Sequence, residues 1–111
     1  MRWGETKYKF LVRVYENGEL VEEDIRKDLR ANPEEPNAFG FIDEALFDLF
    51  AIDYLDYGGS DGDIWGYFID VDNNKVDFKG YYGKDYAVVE VKYGNKKYRI
   101  EIEELFKRNE E

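Results

Sequence analysis

Residues 7–25 alternate between apolar and polar positions. Tyr8, Phe10, Val12 and Val14 take every second place among Lys7, Lys9, Leu11 and Arg13, and Asn17-Gly18 is a strong two-residue turn signal. A tight turn there predicts a β-hairpin in which Val14 faces Val21, Phe10 faces Ile25 and Arg13 faces Glu22. One face of such a pair is apolar and the other charged, as a half-buried sheet requires. Asn32 to Asn37, with Pro33 and Pro36, then breaks the pattern, since proline cannot continue a helix or a strand ladder through its own position.

From Asn37 to Tyr57 the period becomes helical. Ile42, Ala45, Leu46, Leu49, Phe50 and Asp53 follow one stripe at helical spacing, with Asn37 as N-cap and Gly58-Gly59 as the stop. Alternation returns in Ile64–Val71 and Lys75–Lys79 around Asn73-Asn74, and in Tyr86–Tyr93 and Lys96–Ile102 around Gly94-Asn95. In the last hairpin a two-residue turn sets Val91 against Tyr98, Val89 against Ile100, Ala87 against Ile102 and Glu90 against Arg99, so register and hydrophobic pattern agree. Glu103–Arg108 reads as a short helical tail. The expected fold is α+β: a single domain over residues 1–111, a mostly antiparallel sheet in ββ-α-ββββ order, and one long amphipathic helix on one face. Its core is expected to press Val89, Val91, Tyr98, Ile100 and Ile102 against Ile42, Leu46, Leu49 and Phe50.

Charge changes this picture. The net charge is −10, and the whole excess lies in one block: residues 31–74 hold eleven acidic side chains and no Lys or Arg. They are Glu34, Glu35, Asp43, Glu44, Asp48, Asp53, Asp56, Asp61, Asp63, Asp70 and Asp72. A single-sign field of this kind repels nucleic acid, whose binding draws on Lys and Arg, and attracts basic surfaces. The helix would show Asp43, Glu44 and Asp48 to solvent beside Phe47, Ala51 and Tyr54. Aromatic residues make 18% of the chain, and Tyr54, Tyr57, Trp65, Tyr67, Tyr81, Tyr82 and Tyr86 flank the acidic block, where they can anchor an interface.

The chain has no Cys and no His, so thiolate chemistry, Cys/His zinc sites and the commonest general base at neutral pH are all missing. Catalysis would fall to carboxylates, Tyr, Lys and the lone Ser60, on a fold with little room for a cleft. The expectation is therefore no enzyme and no cofactor. For a cation the candidates are Asp70, Asp72 and Asp77. A two-residue turn at Asn73-Asn74 would place Asp70 opposite Asp77, although Lys75 and Tyr81 stand where a calcium loop needs Gly and Glu. The loop 57–63, rich in glycine and aspartate, would follow the helix C-terminus, whose dipole disfavours phosphate. No apolar stretch is long enough to serve as a signal core or membrane span, so the protein is expected to be cytoplasmic.

The function expected from these features is that of an acidic binding or inhibitor protein that docks on a basic protein, itself a nucleic-acid binder, with carboxylates standing in for phosphates. Its contact set would be Asp43, Glu44, Asp48, Tyr54, Asp56, Tyr57, Asp61, Asp63, Tyr81 and Tyr82. By charge and size alone the chain is similar to small acidic immunity proteins and phage-encoded inhibitors; no motif ties it to either. The alternatives are a cation- or small-ligand-binding module built on Asp70, Asp72 and Asp77, and a structural, self-associating domain.

Overall fold

The computed structural model describes residues 9–27 and 38–105. Strands β1 (Lys9–Glu16) and β2 (Glu19–Lys27) come first. A 3₁₀ turn, Phe39–Phe41, leads into helix α1, Ile42–Leu49. Five strands follow: β3 (Ile52–Ser60), β4 (Asp63–Asp70), β5 (Lys75–Tyr82), β6 (Tyr86–Tyr93) and β7 (Lys96–Glu104). All seven form one antiparallel sheet in the order β2-β1-β7-β6-β5-β4-β3, so β2 and β3 are its edges. The segment between β2 and β3 therefore leads from one edge of the sheet to the other and carries α1 across one face. Among the described residues, no helix is long and apolar enough to cross a membrane.

One face of every strand except β2 feeds the core. Phe10, Val12 and Val14 of β1, Ile64 and Phe68 of β4, Val76 and Phe78 of β5, Ala87, Val89 and Val91 of β6, and Ile100 and Ile102 of β7 are buried with Ile42, Ala45, Leu46 and Phe50. The predicted core partners are thus brought together, with Leu49 and Tyr98 only partly buried. Two glycines allow close approach to the sheet, one by its neighbouring strand and one by the 3₁₀ turn. A Cβ at Gly80 would collide with the Val88 carbonyl, and one at Gly59 would lie 2.6 Å from the Phe39 ring.

The sheet has seven strands in ββ-α-βββββ order, and the long helix is a short one. The apolar stripe is real from Ile42 to Phe50, but Phe50 already has an extended ψ of 152° and the chain continues as β3. Asp61 and Gly62, at φ 54° and 87°, form a tight hairpin turn, with Ser60 opposite Asp63. That turn commits the preceding residues to pair with β4. Gly58-Gly59 is strand interior instead of a helix stop, and Asp53, the one polar residue of the stripe, sits exposed where the β3–β4 register shifts.

The first hairpin turns at Asn17-Gly18 as expected, with φ 54° and 87°. Its register differs, because a shift at Val14/Tyr15 leaves Val21 without an opposite residue. Val14 faces Glu22, Phe10 faces Arg26, and Arg13 faces Glu23, with its Nε 2.7 Å from the Glu23 carboxylate. Leu20, Val21 and Ile25 are exposed in consequence. Glu22, Asp24 and Arg26 lie on the helix side, where Arg26 bonds both Asp24 and Asp48, and inward charges of this kind protect an edge from pairing with other chains.

The last hairpin has the predicted register at every pair. Glu103 and Glu104 extend β7 in place of a helical tail. The expected Asn37 cap, the break at Asn32–Asn37 and the tail beyond Leu105 lie outside the described residues.

Asn17 also joins distant parts of the chain. Its N–H donates to the Lys97 carbonyl at 2.7 Å, and its side-chain oxygen accepts the Lys97 N–H at 3.0 Å. Asn17→Ala removes the side-chain bond and places a residue poorly suited to φ 54° in the turn. It should cost about 1–2 kcal/mol in chemical denaturation. Asn17→Gly, which tolerates that backbone angle, should cost less.

Candidate functional site

Alternation deals the side chains of each strand to two faces. On the face opposite α1, no described element covers the sheet. In Asp63–Ile69, Ile64 and Phe68 point into the core, so Asp63, Trp65, Tyr67 and Ile69 point to this open face. Cross-strand register adds Tyr54 and Asp56 of β3, and Asp77 and Tyr81 of β5. Asp56 faces Tyr67, Tyr67 faces Asp77, and Asp63 faces Tyr81.

The result is a patch of rings interleaved with carboxylates. Tyr54 is 52% exposed and Trp65 53%, large values for aromatic residues within a continuous sheet. The Tyr54 and Tyr67 rings are 6.0 Å apart, Tyr81 and Tyr86 are 6.2 Å apart, and the Lys75 ammonium sits 4.8 Å from the Tyr67 centroid. The Asp56 carboxylate raises the Tyr54 phenol above its ordinary pKa, with a smaller effect from Tyr67. Among the described residues, Asp56, Asp63 and Asp77 have no basic group within salt-bridge distance.

The structure divides the predicted contact set. Tyr54, Asp56, Asp63 and Tyr81 share the open face, and Asp61 stands at the tip of the β3–β4 hairpin. Asp43 and Glu44 lie in the first turn of α1, on the other side of the sheet, where negative charge suits the helix dipole. Asp48, also on α1, is bonded to Arg26. Tyr57 and Tyr82 turn inward against Phe39, with ring centroids 5.6 and 4.9 Å away. Burial pushes the Tyr57 phenol up to about 12, and its OH donates to the Phe39 carbonyl at 3.4 Å. The contact set lacked Trp65 and Tyr67, although their alternation with Ile64 and Phe68 placed them beside Asp63.

The three proposed cation ligands do not converge. Asp77 is on the open face and Asp72 is exposed in a turn, while Asp70 is buried on the core face. The β4–β5 register pairs Ile69 with Lys75 and Tyr67 with Asp77, so Asp70 and Asp77 never face each other. A longer turn replaces the two-residue one, and the Asp70 side chain organises it. Its Oδ1 accepts the N–H groups of Asp72 at 2.9 Å and Asn74 at 2.8 Å. Its Oδ2 accepts from Asn74 Nδ2 at 3.1 Å and from the Tyr93 hydroxyl at 2.8 Å. These donors, led by the Asn74 N–H, hold the carboxyl down to about 2 against the opposing effect of burial. Among the described residues, no three His, Cys, Asp or Glu side chains are grouped to hold a metal ion.

No protein-family model, curated protein or solved structure matches the chain. The chemistry of the open face is what indicates a function.

Proposed function

We propose that the protein is a non-enzymatic binding protein that docks on a basic protein surface through the acidic, aromatic part of its open sheet face. The partner's own ligand would be nucleic acid, whose phosphates Asp56 and Asp63 replace. The carrying observation is that Tyr54 and Trp65, each more than half exposed, share one face with Asp56 and Asp63, which have no cationic partner among the described residues. Rings of this kind supply desolvated anchor area, while unpaired carboxylates and a net charge of −10 supply steering and orientation. Among the described residues, the one carboxyl with a strongly shifted pKa, Asp70, is committed to four hydrogen bonds in the core, which favours binding over acid–base chemistry.

Immobilised basic nucleic-acid-binding proteins provide the test, with association followed at low and physiological salt. Asp56→Lys combined with Asp63→Lys should slow association by about tenfold or more at low salt, and the difference should shrink as salt rises. Trp65→Ala should act on dissociation instead, accelerating it by about tenfold or more. Duplex DNA should compete for the partner. Unchanged rates in both variants would remove this reading, as would a loss seen only when Asp43 and Asp48 on the helix are reversed.

A further inference from the structure

A second part of the open face has a different character. A groove of about 730 Å³ lies over β5, β6 and β7 and reaches Tyr15 and the β1–β2 turn; its lining holds the cations Lys79, Lys92, Lys97 and Arg99 and the carboxylates Asp77, Glu90 and Glu101. Its charges mostly alternate across the strands. Lys79 faces Glu90, Glu90 faces Arg99, and Arg13, outside the groove, faces both Glu101 at its rim and Glu23. Opposite signs directly across a sheet are favourable, and like signs are not.

One pair at the groove breaks this pattern: Lys92 stands directly opposite Lys97. Neither ammonium has a carboxylate within salt-bridge distance among the described residues, and neither does Lys79. Arg99, on the same face, is already engaged with Glu101 at 2.9 Å, and Lys96, on the other face of β7, with Glu16 at 3.0 Å. The backbone of Lys97 is held in both directions by Asn17, and the adjoining Gly18 lines the groove. The repelling pair therefore stands on a fixed frame beside a cavity.

We infer that this groove binds a small ligand carrying a phosphate or carboxylate group, with the oxyanion between Lys92 and Lys97 and an apolar or aromatic body lying along the groove beside Tyr15. The oxyanion would relieve the repulsion between the two lysines and accept a charge-assisted hydrogen bond from each. The groove is much larger than an inorganic oxyanion, which is why the ligand needs a body. The groove adjoins the acidic patch, since Asp77 lines it and Lys79 faces Trp65, but the two lysines that would hold the oxyanion lie on β6 and β7, away from Tyr54, Asp56 and Asp63.

The test is backbone-amide NMR at constant ionic strength and neutral pH, with phenyl phosphate, benzoate and inorganic phosphate as probes and phenol as the uncharged control. Phenyl phosphate or benzoate should shift the Lys92, Lys97 and Tyr15 amides saturably, and the stronger of the two identifies the oxyanion. Inorganic phosphate should bind more weakly than phenyl phosphate, and phenol should produce no saturable shift. Lys92→Gln and Lys97→Gln should each weaken binding by about tenfold or more. Both unliganded variants should melt at or above the wild-type temperature, because the repulsion is gone. Lys84→Gln, at an exposed lysine in the β5–β6 turn, should bind as wild type. The inference is overturned by absence of a saturable shift at millimolar probe, or by affinity that survives both groove substitutions. An equal loss in Lys84→Gln would also overturn it.

Discussion

Replacing Phe68 by alanine is expected to destabilise the protein by about 3–5 kcal/mol, the scale for deleting a buried aromatic ring. Phe68 is fully buried. Its ring lies 5.2 Å from Phe50, 6.0 Å from Tyr93 and 6.3 Å from Phe78, so one side chain joins the end of α1 to β4, β5 and β6. A domain's whole stability is about 5–15 kcal/mol, so the variant should be largely unfolded in mild denaturant. Urea unfolding followed by tyrosine and tryptophan fluorescence measures the loss. Phe68→Leu, which keeps most of the volume, should recover a large part of it. A cost below about 1 kcal/mol would mean that this ring is not where the layers meet.

The second large effect concerns Asp70. Asp70→Ala leaves the Tyr93 hydroxyl and the Asp72 and Asn74 amides without their acceptor, and the melting temperature should fall by roughly 10 °C. The same carboxylate makes stability depend on pH. Its pKa falls from an ordinary 3.8 to about 2 in the fold, so the folded state binds its proton less readily than the unfolded chain. The stabilisation is therefore present above the unfolded-state pKa and is lost as pH falls through the interval between the two values. Melting curves between neutral and strongly acid pH should show this loss, and Asp70→Asn should flatten that part of the profile. A profile identical in wild type and Asp70→Asn would place the acid sensitivity elsewhere.

Particular elements show what could be inferred before the fold was known. The Gly94-Asn95 hairpin was legible because turn residues, apolar alternation and the Glu90–Arg99 pair all demanded one register. The stripe from Ile42 to Phe50 was legible for the same kind of reason. The helix ends well before the point its period predicts, and the contrary signal is in the sequence: Asp61-Gly62 is as strong a hairpin turn as Asn17-Gly18. A helical period that carried on to Asp53 outweighed it, and the aromatic and branched residues Ile52, Tyr54 and Tyr57 suit a strand equally well. The registers of β2 and of the β4–β5 turn could not be counted off. One depends on an extra residue at Val21, the other on a side chain, that of Asp70, replacing backbone partners.

The candidate surface was harder to read than the strands. Eleven acidic residues fall in one stretch, residues 31–74, but a pleated strand sends its neighbours to opposite faces. The block was therefore divided: Asp56 and Asp63 went to the open face, Asp70 to the core, and Asp43 and Asp48 to the helix. Aromatic anchors obey the same rule, which is why Tyr54 and Trp65 are outside while Tyr57 and Tyr82 are inside.

The place of β7 in the sheet has a consequence for how the molecule assembles. It is the last strand of the described chain, yet it lies between β1 and β6 and is hydrogen-bonded to both. The β3–β6 meander can form from neighbouring segments, each hairpin supporting the next. The β1–β2 hairpin can also close on its own turn, but it has no place in the sheet until β7 arrives. The Asn17–Lys97 bonds that then lock it span 80 residues. Loop closure over such a distance precedes any gain from the contacts it allows, so completion of the sheet should be a slow, late step. During synthesis β1 and β2 thus wait to be integrated until β7, whose Lys97 follows Asn17 by 80 residues, has been made.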